Sequence, residues 1–149
     1  MAQNCYGFVM GVEQRLDAWA NLPYEPRQIF EKAFWFAKKS YDDPYDPKFD
    51  KLRADFVVGE LARAFCAKHG YHITHNVSVG DMSQGTIAIR VKFGVFSDFH
   101  FAKKTELEGE TCWLHKPGDL PVDIMFDEDI LSPEWPGGYN SDVIFMISD

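Results

Sequence analysis

Four side chains on two neighbouring predicted strands combine two cations, a carboxylate and an imidazole. Arg90 and Lys92 lie two residues apart on one run, and Asp98 and His100 lie two apart on the next. Each pair therefore shares a face of its strand. Such a face can hold an anion or a substrate, with His100 as the acid or base and Asp98 orienting it. A solvated sheet face crossed by ion pairs needs no ligand and is the interpretation that we favour.

Glu60 is a carboxylate inside the most apolar segment of the chain. It lies four residues after Phe56 and four before Ala64, so helical spacing points it into the apolar stripe. Arg53, seven residues earlier, falls on nearly the same face. Because buried charges are usually paired, the spacing predicts a structural Glu60–Arg53 ion pair or a carboxylate that reaches the helix edge.

A helix that carries an acid, followed by a strand pair with an acid and a lysine, resembles the PD-(D/E)XK nuclease core. The resemblance covers about residues 60–93 and implies Glu60, Asp81 and Lys92 as catalytic residues of a metal-dependent nuclease. The chain departs from that family at Arg90, which stands where the family carries a metal-binding acid. Without that carboxylate, Mg²⁺ loses a principal ligand.

One histidine lies in a second short motif. The run His72–Thr74 resembles the His-x-Thr element of two-histidine phosphoesterases, which implies His72 as a catalytic residue. That family needs a second copy, and the nearest candidate, His100–Ala102, lacks the hydroxyl. His72 and His75 lie three apart on a predicted strand and face opposite sides, so they do not simply share a metal. We predict no metal site and no cofactor.

The acidity of the chain lies in its last third. The net charge is −8, yet residues 1–105 hold 14 Lys and Arg against 12 Asp and Glu. Residues 106–149 hold 11 acids and a single base, Lys116. Such an asymmetry bears on partners rather than on fold. Phosphate is repelled by this half, so we expect no nucleic acid on the acidic face.

Aromatic residues interrupt the acidic half. Aromatic side chains ringed by carboxylates suit a face that binds a basic protein surface, as in many inhibitors, immunity proteins and phage anti-defence proteins. We expect this face to contain Trp113, Asp127, Glu128, Asp129, Glu134, Trp135 and Tyr139. Pro and Gly in the loop at 131–141 are expected to hold Trp135 exposed as an anchor. The alternatives are an acidic surface with no partner and a calcium site at 127–129, whose spacing is not that of an EF-hand.

Three helices are predicted before residue 70, at 5–21, 27–40 and 47–69. The third has Asp46 as its N-cap, Pro47 at its first position and Gly70 as its stop. It is apolar on most of its sides, which places it at the centre of the domain with Phe56 in the core.

After Gly70 the apolar period changes from 3.6 to 2, which is typical of strands. Runs at 71–79, 87–93, 95–103, 110–115, 121–126 and 142–148 fit this description. We predict a single α+β domain over residues 1–149, with a helical part at about 5–70 and a sheet part at about 71–149. Three N-terminal helices are expected to pack on a mostly antiparallel sheet of four to six strands.

Composition narrows the classes of function. The chain of 149 residues is 46% hydrophobic and 15% aromatic, which suits one globular domain. It shows no basic and apolar signal segment and no apolar run long enough to span a bilayer, so a cytoplasmic location is expected. The leading hypothesis is a non-enzymatic binding protein that engages a basic protein partner. The alternative is a metal-dependent nuclease or phosphoesterase; the oligomeric state stays open.

Overall fold

The computed structural model describes residues 5–10, 25–39, 46–75, 77–94, 97–116 and 121–148. These residues form an α+β fold with one antiparallel sheet. The helices are α1 (Cys5–Met10), α2 (Glu25–Lys39), α3 (Asp50–His69) and α4 (Asp127–Ile130). The strands are β1 (Tyr71–Ile73), β2 (Ile87–Lys92), β3 (Asp98–Leu107), β4 (Glu110–His115), β5 (Asp123–Met125) and β6 (Ile144–Ser148).

Helix α3 ends where the sequence predicts, but it begins at Asp50, three residues after the predicted start at Pro47. The Asp46 carboxylate accepts a hydrogen bond from the Lys48 N–H at 3.0 Å, and Pro47 opens a single 3₁₀ turn that leads into the helix. Gly70 ends the helix with a left-handed φ of +70°, and its N–H donates to the Cys66 carbonyl at 3.1 Å.

The expected set of three N-terminal helices is wrong. The described part of the chain has two long helices, α2 and α3, and only the six residues of α1 before them. The predicted continuation of the first helix to residue 21 lies outside the described residues. None of the helices within the described ranges has the length and apolar character needed to cross a membrane.

The sheet has six strands in the order β1-β6-β2-β3-β4-β5, and every neighbouring pair is antiparallel. The predicted range of four to six strands is therefore confirmed, whereas only the run predicted at 110–115 has the bounds of its strand. Strand β1 stops at Ile73 rather than near residue 79. Strand β3 runs to Leu107, four residues beyond the predicted run at 95–103, because Glu108 and Gly109 form a two-residue hairpin turn with φ of +51° and +84°.

Helices cover one face of the sheet, and irregular segments cover the other. The helix-side core joins α1, α2 and α3 to alternate residues of the central strands, among them Phe30, Val57, Leu61, Phe65, Ile87, Ile89, Val91, Phe101 and Met146. The loop-side core consists of Val79, Met82, Ala88, Ala102, Trp113, Met125, Ile130, Trp135 and Phe145. Strand β2 is consequently buried on both of its faces.

The core position expected of Phe56 is wrong; of the two alternatives expected for Glu60, the pair with Arg53 is wrong, whereas the carboxylate does reach the helix edge. Phe56 is 36% exposed and stacks on Phe36 with ring centroids 5.2 Å apart, so it lies beside the core rather than within it. Glu60 does not pair with Arg53; it forms an ion pair with Arg63 on the exposed side of the helix. Buried Arg53 donates instead to the Asp46 carbonyl at 3.1 Å, at the start of the helix.

Candidate functional site

The face of β2 and β3 that carries Arg90 and His100 is buried, not solvated. Arg90 is 4% exposed and His100 is 3% exposed, because the segment that follows α4 folds over this side of the sheet. The preferred interpretation of a solvated, ion-paired face is therefore wrong for these two residues. Periodicity alone did not indicate that a chain segment without regular structure would form a second covering layer.

Arg90 fixes that segment to the sheet. Its Nε donates to the Ser141 carbonyl at 2.8 Å, and its two terminal nitrogens donate to the Ser132 and Pro133 carbonyls at 2.7 Å each. The guanidinium also lies 5.7 Å from the centroid of the Trp135 ring. Burial lowers the pKa of Arg90, but a guanidinium stays charged at neutral pH. Arg90 thus makes structural contacts at the position where a PD-(D/E)XK nuclease carries a metal-binding acid.

His100 and His115 form a buried pair on adjacent strands. His100 Nε2 lies 2.8 Å from His115 Nδ1, and the His100 ring stacks on Tyr139 with centroids 5.1 Å apart. Burial, with smaller contributions from His115 and Lys92, lowers the pKa of His100 to about 3. Burial also lowers the pKa of His115, although Asp123 opposes that change. Both rings are neutral at pH 7, so His100 is poorly suited to act as the acid or base that the sequence suggested.

His115 lies at the bottom of an open cleft of about 370 Å³. Its Nδ1 contacts His100, while its Nε2 is buried and has no hydrogen-bond partner among the described residues. The closest carboxylate oxygen, Asp123 Oδ2, is 3.9 Å from that nitrogen, too far for a hydrogen bond. We call this space the His115 cleft; its lining residues are His115, Asp123, Ile124, Met125, Asp129, Ser132, Glu134, Trp135 and Pro136.

The tryptophans expected on the partner-binding face are buried. Trp135 is 1% exposed, and its Nε1–H donates to the Ile130 carbonyl at 3.0 Å. Trp113 is completely buried, and its Nε1–H donates to the Asp127 carboxylate at 2.8 Å. The expectation that the loop holds Trp135 exposed as an anchor is wrong, since the loop packs this side chain against the sheet. Tyr139 is half-buried against His100.

The acidic residues of the predicted face divide into two groups. Asp127 accepts from an indole N–H, and Asp129 Oδ2 accepts from the Phe126 N–H at 2.9 Å, so both stabilise the start of α4. Glu128 and Glu134 are exposed. The Asp123 side chain, absent from the predicted set, is 74% exposed beside the cleft.

Apolar side chains that the sequence analysis did not single out lie exposed near β5. Ile124 is 46% exposed and Phe126 is 48% exposed, and they line a groove with Leu107 at the open edge of the sheet. Glu108 and Glu110 line the same groove. We call it the acidic edge groove. The alternation of side chains at 122–126 predicts a strand, and it is also the sequence signal for this groove.

The residues implied by the two enzyme resemblances do not meet. Lys92 Nζ donates to the Gly137 carbonyl at 3.0 Å on the loop side of the sheet, whereas Glu60 is on α3 on the opposite side. Asp81 lies exposed in the turn that contributes Val79 to the loop-side core. Strands β6 and β2 separate His72 on β1 from His100 on β3.

Among the described residues, no group of three or more His, Cys, Asp or Glu side chains is arranged to hold a metal ion. Comparison of the chain with protein-family models, with curated proteins and with solved structures found no match. The geometry of the acidic edge groove and of the His115 cleft is therefore what supports a function.

Proposed function

We propose that this protein is a non-enzymatic binding protein of the inhibitor type, and that its acidic C-terminal half engages a basic protein in the cytoplasm. The observation that carries the proposal is the acidic edge groove, where exposed Ile124 and Phe126 lie beside Glu108 and Glu110. Apolar contact area surrounded by charge of one sign is the usual composition of a specific protein interface.

In this proposal the carboxylates set the association rate and the apolar side chains set the dissociation rate. The carboxylates attract a basic partner and raise the association rate, an effect that salt weakens by screening. The apolar side chains lose contact with water on binding and slow dissociation, because desolvated anchors carry most of the affinity of an interface. Ile124 and Phe126 take the anchoring role that the sequence analysis gave to Trp113 and Trp135, which are buried within the fold.

The edge position of β5 adds a backbone contribution. Within the described ranges, strand β5 pairs with β4 alone, as the last strand of the sheet order. The outer edge of such a strand can pair with an extended segment of another chain. A basic segment with alternating apolar residues suits both the strand edge and the groove beside it.

A kinetic binding assay with defined peptides tests the proposal. The probe is an extended peptide of alternating Lys and Leu, and the control probe replaces each Lys by Glu. Reversing the charge of Glu108 and Glu110 to Lys should slow association by about tenfold at low salt and by less at high salt. Phe126→Ala should leave association nearly unchanged and speed dissociation.

Glu31→Lys is the matched control, because Glu31 is an exposed carboxylate on α2 and is not among the residues that line the groove. It should bind the basic peptide as the parent does. Equal binding of the two peptides by the parent, or equal effects of Glu31→Lys and the groove variants, would contradict the proposed function.

A further inference from the structure

The His115 cleft contains a buried polar atom for which the described part of the chain provides no hydrogen-bond partner. The residue is 2% exposed, and its Nε2 is enclosed, while the neighbouring Nδ1 is satisfied by His100 at 2.8 Å. Buried side-chain nitrogens in native proteins are nearly always hydrogen-bonded, so an unpartnered one on the wall of a cleft indicates a place for a ligand atom.

The hydrogen-bonding state of the pair determines which ligand atom fits. In a neutral imidazole one ring nitrogen is a donor and the other is an acceptor. A ligand that donates a hydrogen bond requires the tautomer in which His115 Nδ1–H donates to His100 Nε2, which leaves the lone pair of His115 Nε2 in need of a donor. The ligand atom is then an N–H or O–H group.

The charge around the cleft determines the class of ligand. Asp123, Asp129 and Glu134 all line it, and none of its described lining residues is a Lys or an Arg. An anion is therefore repelled. A cation that donates hydrogen bonds is attracted by the carboxylates and satisfies His115 Nε2 at the same time. Among the described residues a metal ion finds no group of three or more His, Cys, Asp or Glu side chains, whereas an organic cation needs only hydrogen-bond acceptors.

The walls of the cleft suit a long side chain. Ile124, Met125 and Trp135 contribute its apolar part. Lysine and arginine combine an aliphatic stem with a cationic head, and both bury the stem along apolar surface. Ile124 of the edge strand β5 lines both this cleft and the acidic edge groove.

We infer that the His115 cleft receives one Lys or Arg side chain of the protein partner, whose N–H groups bind His115 Nε2 and the carboxylates of Asp123 and Glu134. The inference rests on the proposed function, because the side chain belongs to the partner that the acidic edge groove binds. It adds a specific contact that selects a basic residue at one position of the partner.

Nuclear magnetic resonance of the imidazole nitrogens tests the inference directly. The probes are N-acetyl-arginine amide and N-acetyl-lysine amide, and the controls are the neutral analogues N-acetyl-citrulline amide and the Nε-acetylated lysine derivative. We expect the His115 Nε2 signal to have the shift of an unprotonated nitrogen and to move saturably with at least one cationic probe. Neither neutral analogue should move it.

Variants that keep the shape of the cleft provide the second measurement. Asp123→Asn and Glu134→Gln should each weaken binding of the cationic probe by about tenfold. Glu128→Gln is the matched control, because Glu128 is an exposed acid of α4 outside the lining of the cleft, and it should leave binding within about twofold. His115→Phe removes the acceptor and should abolish the response; if it fails to fold, the two carboxylate variants decide the result.

The outcomes separate this inference from the proposed function. Absence of a response to either cation, an equal response to the neutral analogues, or equal effects of Glu128→Gln and the cleft variants would overturn the inference. The peptide kinetics of the Glu108 and Glu110 variants would still support the proposed function in that case. Loss of discrimination between the basic and acidic peptides, with an intact cleft response, would overturn the proposed function alone.

Discussion

Replacing Arg90 tests how the loop side of the sheet is stabilised. Its guanidinium makes three hydrogen bonds of 2.7 to 2.8 Å to the carbonyls of Ser132, Pro133 and Ser141. A hydrogen bond from a charged donor contributes about 1.5–3 kcal/mol, so three set an upper bound of about 4.5–9 kcal/mol. Two of these bonds lie only partly buried, where water can replace the donor. We therefore expect Arg90→Met to lower the free energy of unfolding by about 3–5 kcal/mol.

Lys92→Met is the matched control for this measurement. Lys92 lies on the same strand and face, and it donates one exposed hydrogen bond of 3.0 Å to the Gly137 carbonyl of the same loop. Its replacement should cost about 1 kcal/mol or less. Urea unfolding followed by tryptophan fluorescence and circular dichroism measures both variants. A loss below about 1 kcal/mol in Arg90→Met, or an equal loss in Lys92→Met, would refute the role given to Arg90.

Three further measurements check individual contacts. Phe56→Ala should lower the free energy of unfolding by about 1–2 kcal/mol and Phe101→Ala by about 3–5 kcal/mol, since only the second ring is fully buried. Because their folded-state pKa values lie below the unfolded value, His100 and His115 stabilise the fold fully above about pH 6.5. Stability should fall below that pH by up to about 1.4 kcal/mol per pH unit for each ring, as urea unfolding at pH 7 and pH 5 measures. Asp127→Ala should cost about 1–3 kcal/mol in thermal unfolding, because a buried indole N–H loses its acceptor.

A specific outcome would contradict each of these three predictions. Equal losses for Phe56→Ala and Phe101→Ala would place Phe56 in the core after all. A protonated His100 ring in nitrogen spectra at pH 5 would contradict the lowered pKa. Glu128→Ala, in the same short helix, should change stability by no more than about 0.5 kcal/mol, and a loss matching that of Asp127→Ala would remove the specific role of the indole contact.

The sequence predicted the elements whose signals are local. The helical spacing in α2 and α3, the cap at Asp46 and the stop at Gly70 each depend on residues within a few positions of one another. Strand β2 was likewise predicted from its alternation. These features follow from backbone geometry and side-chain type, and tertiary packing did not alter them.

The features that were missed depend on which segment covers which face. The alternation of polar residues in β2 and β3 predicts a solvated face only when nothing packs on it. The carbonyls that Arg90 binds lie 42 to 51 residues further along the chain and carry no signal in the side chains. Trp135, between Pro133 and Gly137, had the sequence context of an exposed loop residue, yet its large apolar surface is what the loop buries.

The segment that follows α4 is held in place by its contacts, and this affects the free energy of binding. A binding loop that must first become ordered loses conformational entropy when its partner arrives, and this loss subtracts from affinity. Here the walls that Ser132 and Trp135 give to the His115 cleft are held by Arg90, Ile130 and the sheet before any ligand is present. The ordering cost is thus met during folding, so the cleft is a preorganised receptor whose selectivity depends on shape and charge rather than on induced fit.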